Sequence, residues 1–182
     1  MRRIERRDTA GSEFDVRVVR NNKVFKTHKG GKTASWSVLV VVGDHAGRVG
    51  VGLGKARGVP DAIRKGEEAA RRAMVEVPMI AGTLPHDVRA KTGATLVWLK
   101  PASPGTGVVA GGAVRSILEA AGVQDVLAKV FGSRNAVNCA WATVAALQQL
   151  KTPEVVAESR GLPVRELVPW IPKLRGEAGA DA

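Results

Sequence analysis

The sequence predicts two α+β units in tandem, and three observations carry that prediction. Two β-branched runs, Trp36 to Val42 and Arg48 to Leu53, flank the hairpin-type segment Gly43-Asp44-His45-Ala46-Gly47. Pro60 and Asp61 open a helical stretch soon after them. Pro78 and Ala81-Gly-Thr-Leu-Pro85 then interrupt the pattern, and strand and helix signals resume as far as Leu150. With 182 residues, 45% of them hydrophobic, the chain can build one ordinary domain or two small ones with real cores.

Taken in order, residues 1–12 are charged and end on Gly11 and Ser12, which reads as a flexible basic arm. Phe14 to Phe25 is strand-like: Val16, Val18 and Val24 are apolar, with Arg17, Arg20 and Lys23 between them. The spacing breaks at Asn21-Asn22, read as a turn or a bulge. Lys26-Thr-His-Lys-Gly-Gly-Lys32 is a loop by composition, and the paired strands around the Gly43–Gly47 connection follow. In the helix after Pro60, Ile63, Ala70, Ala73 and Met74 supply an apolar stripe, leaving Arg64, Lys65, Arg71 and Arg72 outside. The first unit, residues 13–77, is therefore three strands and a helix.

The second unit, residues 78–150, reads as strand, strand, helix, strand, helix. Ala94 to Lys100 is a strand, Pro104-Gly-Thr-Gly107 a loop, and Gly112 to Ala121 a helix stopped by Gly122. Val126 to Phe131 is a short apolar strand, and Asn135 caps a helix from about Ala136 to Leu150. In the tail, 151–182, Pro153, Pro163, Pro169 and Pro172 restrict any helix to short pieces.

Charge narrows the function. Lys and Arg number 28 against 17 acidic residues, a formal +11 with a pI near 10.5, and such an excess points to a polyanion, most often nucleic acid. Residues 1–77 hold 17 basic and 9 acidic groups, residues 78–150 hold 6 and 3, and residues 151–182 hold 5 and 5. Most of the excess thus sits in the first unit. No run is long enough to span a bilayer, and Met1 to Asp8 lack the apolar core of a signal peptide. A lone Cys139 builds no disulfide framework, so the expected location is cytoplasmic.

The basic stretch Lys26 to Lys32 is the best local candidate: two glycines let a phosphate or base come close, and three lysines supply charge. Its bland alternative is a solvated hairpin tip. Gly50-Val-Gly-Leu-Gly54-Lys55 imitates a phosphate loop but fails it, with Val49 at the first glycine position and Ala56 at the last. Its glycines alternate along a strand, implying a sheet face approached by RNA or by packed backbone. Gly105-Thr-Gly107 to Gly112 follows a strand and opens a helix, with Asp125 about twenty residues on, so a dinucleotide site stays open as the enzyme alternative. Pro101 and Pro104 interrupt that turn; close packing of the helix start, or an RNA phosphate at its positive end, is the preferred reading. His28, His45 and His86 lie in separate loops with no metal-ligand spacing, and no carboxylate pair presents acid/base chemistry. Cys139 reads as core. Trp36, Trp98 and Trp141 also read as core, although Trp36 could stack on a base. No catalytic site, metal or cofactor is expected.

Several of these motifs, in this order, resemble the small-subunit ribosomal protein S5 family. They are Lys29-Gly-Gly-Lys32, Val41-Val-Gly-Asp44, Gly47-Arg-Val-Gly50, Gly54-Lys-Ala-Arg57, Pro60 and Ala62-Ile63. Further on come Gly82-Thr, Pro85-His86, Lys100-Pro-Ala, Gly105-Thr-Gly107, Ala110-Gly-Gly-Ala-Val-Arg115 and Gly132-Ser-Arg-Asn135, so that the resemblance runs from about residue 14 to 150. Ala34, Trp36 and Ala136 depart from the family, which favours an aromatic, Phe and Pro there.

The resemblance implies a first domain like a double-stranded-RNA-binding fold and a two-layer α/β second domain with a left-handed βαβ crossover. It implies a non-catalytic constituent of the small subunit, bound to 16S ribosomal RNA and supporting assembly and translational accuracy. The partners it implies are ribosomal proteins S4 and S8, with messenger RNA nearby where it enters the subunit. No membrane or small-molecule substrate is expected. By motif, Lys29, Gly30 and Gly31 fall in the loop reaching the neck of the subunit, near where spectinomycin binds, and Gly107 and Arg115 face S4. The expected RNA-binding set is Arg17, Arg20, Lys23, Lys26, Lys29, Gly30, Gly31, Lys32, Arg48, Lys55, Arg57 and Arg64.

Overall fold

The computed structural model describes residues 14–163 and 166. The arm, residues 1–12, and most of the tail, with Pro169, Trp170 and Pro172, lie outside the described residues.

The first sheet has the order β1-β2-β3-β4 and is antiparallel throughout. Its long strands are β1 (Asp15–His28), β2 (Gly31–Gly43) and β3 (Arg48–Ala56), with helix α1 (Val59–Arg72) packed on one face. A two-residue strand, β4 (Val75–Glu76), adds a short fourth edge. The helix starts where expected, with proline in its first turn and Asp61 beside the positive end.

The apolar stripe of α1 differs from the sequence expectation. Ala62, Gly66 and Ala70 are its buried positions; Ile63 and Met74 are half-buried and Ala73 is exposed. The reason lies in β3, where Gly50, Gly52 and Gly54 face the helix. A Cβ on Gly50 would run into the carbonyl of Ala70, one on Gly52 into that of Gly66, and one on Gly54 into that of Ala62. The helix backbone rests directly on the strand, so only the smallest residues fit between them. Of the two readings left open for these glycines, packed backbone is the one realised.

The second sheet has the order β5-β6-β8-β7, with β5 (Val88–Thr92), β6 (Thr95–Pro101), β7 (Val108–Val109) and β8 (Val126–Gly132). Helix α2 (Gly112–Ala121) joins β7 to its parallel neighbour β8, which makes the βαβ crossover. Gly122 ends α2 in the left-handed region at φ 91°, and the Asn135 side chain accepts from the Val137 N–H at the start of α3 (Ala136–Gln148). A short α4 (Pro153–Arg160) follows. Cys139 is buried as expected, and burial pushes its thiol above its ordinary pKa. Trp141 is not core. It shares the outer face of α3 with Gln148, because Ala140, Thr143, Val144 and Leu147 already fill the inner one.

The two sheets share one core. Leu39, Val41, Val49 and Val51, on the face of the first sheet away from α1, pack in a single cluster with Val97, Leu99, Ile117, Leu118 and Leu147 of the second unit. Val38, Val40 and Val42 face α1 instead. Strand β2 is therefore buried on both sides, which accounts for its unbroken apolar run.

Candidate nucleic-acid interface

Between Val16 and Gly43 the chain carries six cations and no carboxylate. They fall at Arg17, Arg20, Lys23, Lys26, Lys29 and Lys32, every third residue. In a strand, where side chains alternate with period two, this spacing sends charge to both faces. Strand β1 runs unbroken to His28 and β2 begins at Gly31, so the expected loop is mostly a paired ribbon with its turn at Lys29-Gly30. Backbone pairing stabilises this stretch even though its composition is that of a loop. Beyond Trp36, which pairs with Ala56, no third strand accompanies it among the described residues: Val24 to His28 pair there only with Gly31 to Ser35.

The irregularity foreseen at Asn21-Asn22 lies two residues earlier. Val18 pairs with Val40 and Arg20 with Leu39, so Val19 is the extra residue of a bulge, and Asn21-Asn22 are ordinary strand. The bulge resets the alternation. Arg17 and Arg20 fall on the same face, with Lys26, while Lys23 falls on the face that carries α1. There its ammonium lies 5.3 Å from the Phe25 ring centroid and 5.8 Å from that of Trp36. Phe25 is 59% exposed, an open aromatic ring at a position where the sequence pattern indicates only the end of a strand. Trp36 is half-buried, between its two readings.

The ribbon brings Arg20, Lys23, Lys26, Lys29, Gly30, Gly31 and Lys32 together, all of them exposed. Lys55, across from Ser37, and Arg57, at the mouth of α1, adjoin its base. Arg64 follows on the second turn of α1, exposed, with Asp61 3.9 Å away. At Gly30 and Gly31 an added Cβ would meet nothing within 4 Å. No contact within the described fold requires a glycine at either position.

Two expected members stand elsewhere. Arg17 faces the second unit, where its guanidinium meets Asp15 at 2.7 Å and Glu119 at 2.6 Å. His45 closes the group through Asp15 at 3.2 Å and the Glu119 carbonyl at 2.8 Å. Burial opposes ionisation of Asp15, but Arg17 and His45 outweigh it and hold the carboxyl below its ordinary pKa. Arg48 sits at the far end of β3, 2.6 Å from Asp44 and stacked near Phe14. Because the ribbon and the Gly43–Gly47 hairpin are opposite ends of one strand, no single flat surface holds all twelve residues.

In the second unit Gly107 and Arg115 do come together, around β7. The Arg115 guanidinium donates to the Val108 carbonyl at 2.6 Å, and the Gly107 N–H donates to Asp125 at 2.7 Å. Asp125 is buried, and its carbonyl accepts from the Thr83 hydroxyl at 2.6 Å. It is a staple inside the protein and not a ribose ligand. Strand β7 lies within the glycine run, so Gly105 and Gly107 precede the strand, whereas a dinucleotide fingerprint needs them after it.

Comparison with known families completes this geometry. Residues 14–78 match the family model described as ribosomal protein S5, N-terminal domain, and residues 90–160 match ribosomal protein S5, C-terminal domain. The chain belongs to the ribosomal protein S5 family. A member of the S5 family is a structural protein of the small ribosomal subunit that binds ribosomal RNA. Among the described residues no helix is long and apolar enough to cross a membrane.

Proposed function

We propose that the chain holds a structured region of 16S ribosomal RNA through the β1–β2 ribbon, with Lys55, Arg57 and Arg64 neutralising phosphates beside its base. The observation that carries this reading is the ribbon itself: cations on both faces, no carboxylate, and two bare glycines at the end. Recognition then rests on shape and phosphate contacts, as helical RNA with its inaccessible deep groove requires. Arg17 and Arg48 support the scaffold. Gly107 and Arg115, gathered around β7, form the surface toward S4, while S8 and the incoming messenger RNA complete the surroundings and link the protein to decoding accuracy. Family membership supports these finer assignments.

The test is affinity for 16S ribosomal RNA measured across salt, with an unrelated duplex as control. Each lost phosphate contact lowers the slope of log affinity against log salt by roughly 0.7–0.9. Lys26→Ala with Lys32→Ala should therefore flatten it by about 1.4–1.8, whereas Arg17→Ala should leave it unchanged. Gly31→Ala should fold normally and bind more weakly. Absence of binding at low salt, or an unaltered slope in the double lysine variant, would sink the proposal.

A further inference from the structure

Among the described residues, α2 and α3 pack on one face of the second sheet. Val88, Ala90, Val97, Leu99 and Val126 point into the shared core beneath α2 and α3. The alternate positions form the other face, and the strand register sets them in rows. Arg89 pairs with Trp98 and Trp98 with Lys129; Lys91 pairs with Leu96 and Leu96 with Phe131; Lys100 pairs with Leu127, beside Val109. This face holds four cations and two aromatic rings, and none of its strand positions is acidic. Phe131 is 43% exposed, and Leu127 and Val109 are exposed too. The exposed Arg89 guanidinium lies over the Trp98 ring, 4.3 Å from its centroid.

We infer that this face is a second RNA-binding surface, and that its ligand is unpaired RNA. Charge complementarity selects a polyanion, since every ionisable side chain in the rows is positive. The rings select among polyanions. A duplex buries its bases and presents phosphates, leaving Phe131 and Leu127 without partners. Unpaired nucleotides offer a phosphate and a planar base together, and bases stack on aromatic rings and on guanidinium planes alike. Phe131 and the Arg89–Trp98 stack are the two platforms; Lys91, Lys100 and Lys129 take the backbone. The second unit thereby contributes RNA contacts as well as the protein contacts at β7.

The full chain tests this with two labelled probes, a single strand of twelve uridines and a duplex RNA, by fluorescence anisotropy across salt. Phe131→Ala should weaken the single strand by about tenfold or more and leave the duplex, held by the ribbon, unchanged. Arg89→Ala with Lys129→Ala should flatten the single-strand salt slope by about 1.4. These positions are exposed, and a thermal melt matching the parent chain confirms folding. Parental affinity of both variants for the single strand would overturn the inference, as would equal weakening of both probes. A variant that binds the single strand normally yet drops from reconstituted small subunits would assign the face to a protein and also overturn it. Duplex binding in the same titration reports on the ribbon separately.

Discussion

At the scale of single residues, charge alone did not distinguish cations that face outward from cations the protein uses internally. Arg17 and Arg20 look alike in the sequence, yet Arg17 is tied to Asp15 and Glu119 and Arg20 is exposed. Glu119 is more than a hundred residues from Arg17, so no local signal could separate them. Asp44 is another case. Its side chain is 5% exposed and accepts from the N–H of Ala46 at 2.8 Å, the N–H of Arg48 at 2.9 Å and the Arg48 guanidinium at 2.6 Å. Burial opposes its ionisation, but these donors prevail and lower its pKa. The folded value lies below the unfolded one, so its contribution is complete above about pH 4 and disappears as pH falls through the folded value. Asp44→Asn should cost on the order of 1–2 kcal/mol at neutral pH. Denaturant titrations should show that gap narrowing in acid; an equal gap at pH 3 would contradict the assignment.

At the scale of elements, the helices were the most legible. Pro60, Gly122 and Asn135 act through local backbone chemistry, and each does in the structure what its residue type dictates. Strand extents were less so, because the basic stretch Lys26 to Lys32 acquires its structure from pairing across the ribbon. The bulge at Val19 was misplaced for a similar reason: a register shift belongs to two strands, and one strand shows only a broken alternation. The glycines of β3 supply the prediction at this scale. Gly52→Ala should lose on the order of 3 kcal/mol, since a Cβ there meets the Gly66 carbonyl and neither backbone can retreat. A denaturation midpoint equal to that of the parent chain would show that α1 can lift from the sheet without cost.

At the scale of the whole molecule, the two α+β units are joined by more than sequence. Leu39, Val41, Val49 and Val51 are buried by the second unit, and each such side chain is worth about 1.5–3 kcal/mol when buried. A second seam reinforces the first. The His45 and Gly47 N–H groups donate to the carbonyls of Ala120 and Ala121, and a Cβ on Gly43 or Gly122 would collide across the same contact. The full chain should therefore unfold in one transition. A fragment of residues 1–78 should be several kcal/mol less stable than the intact protein, as urea titration of both would read. Two separate transitions, or an unchanged fragment midpoint, would contradict the shared core.

The sequence by itself determined the α+β class, the positions of the helix ends, the basic character of the first unit and the family, because propensity, capping and motif order are local properties of the chain. Only the tertiary structure decided which cations face solvent, what the β3 glycines pack against, and that the two units close over one core. It also decided that cations and aromatic rings share one face of the second sheet, the face opposite α2 and α3. Those outcomes depend on which residues meet across large separations in the chain, and the folded arrangement of strands and helices creates that information.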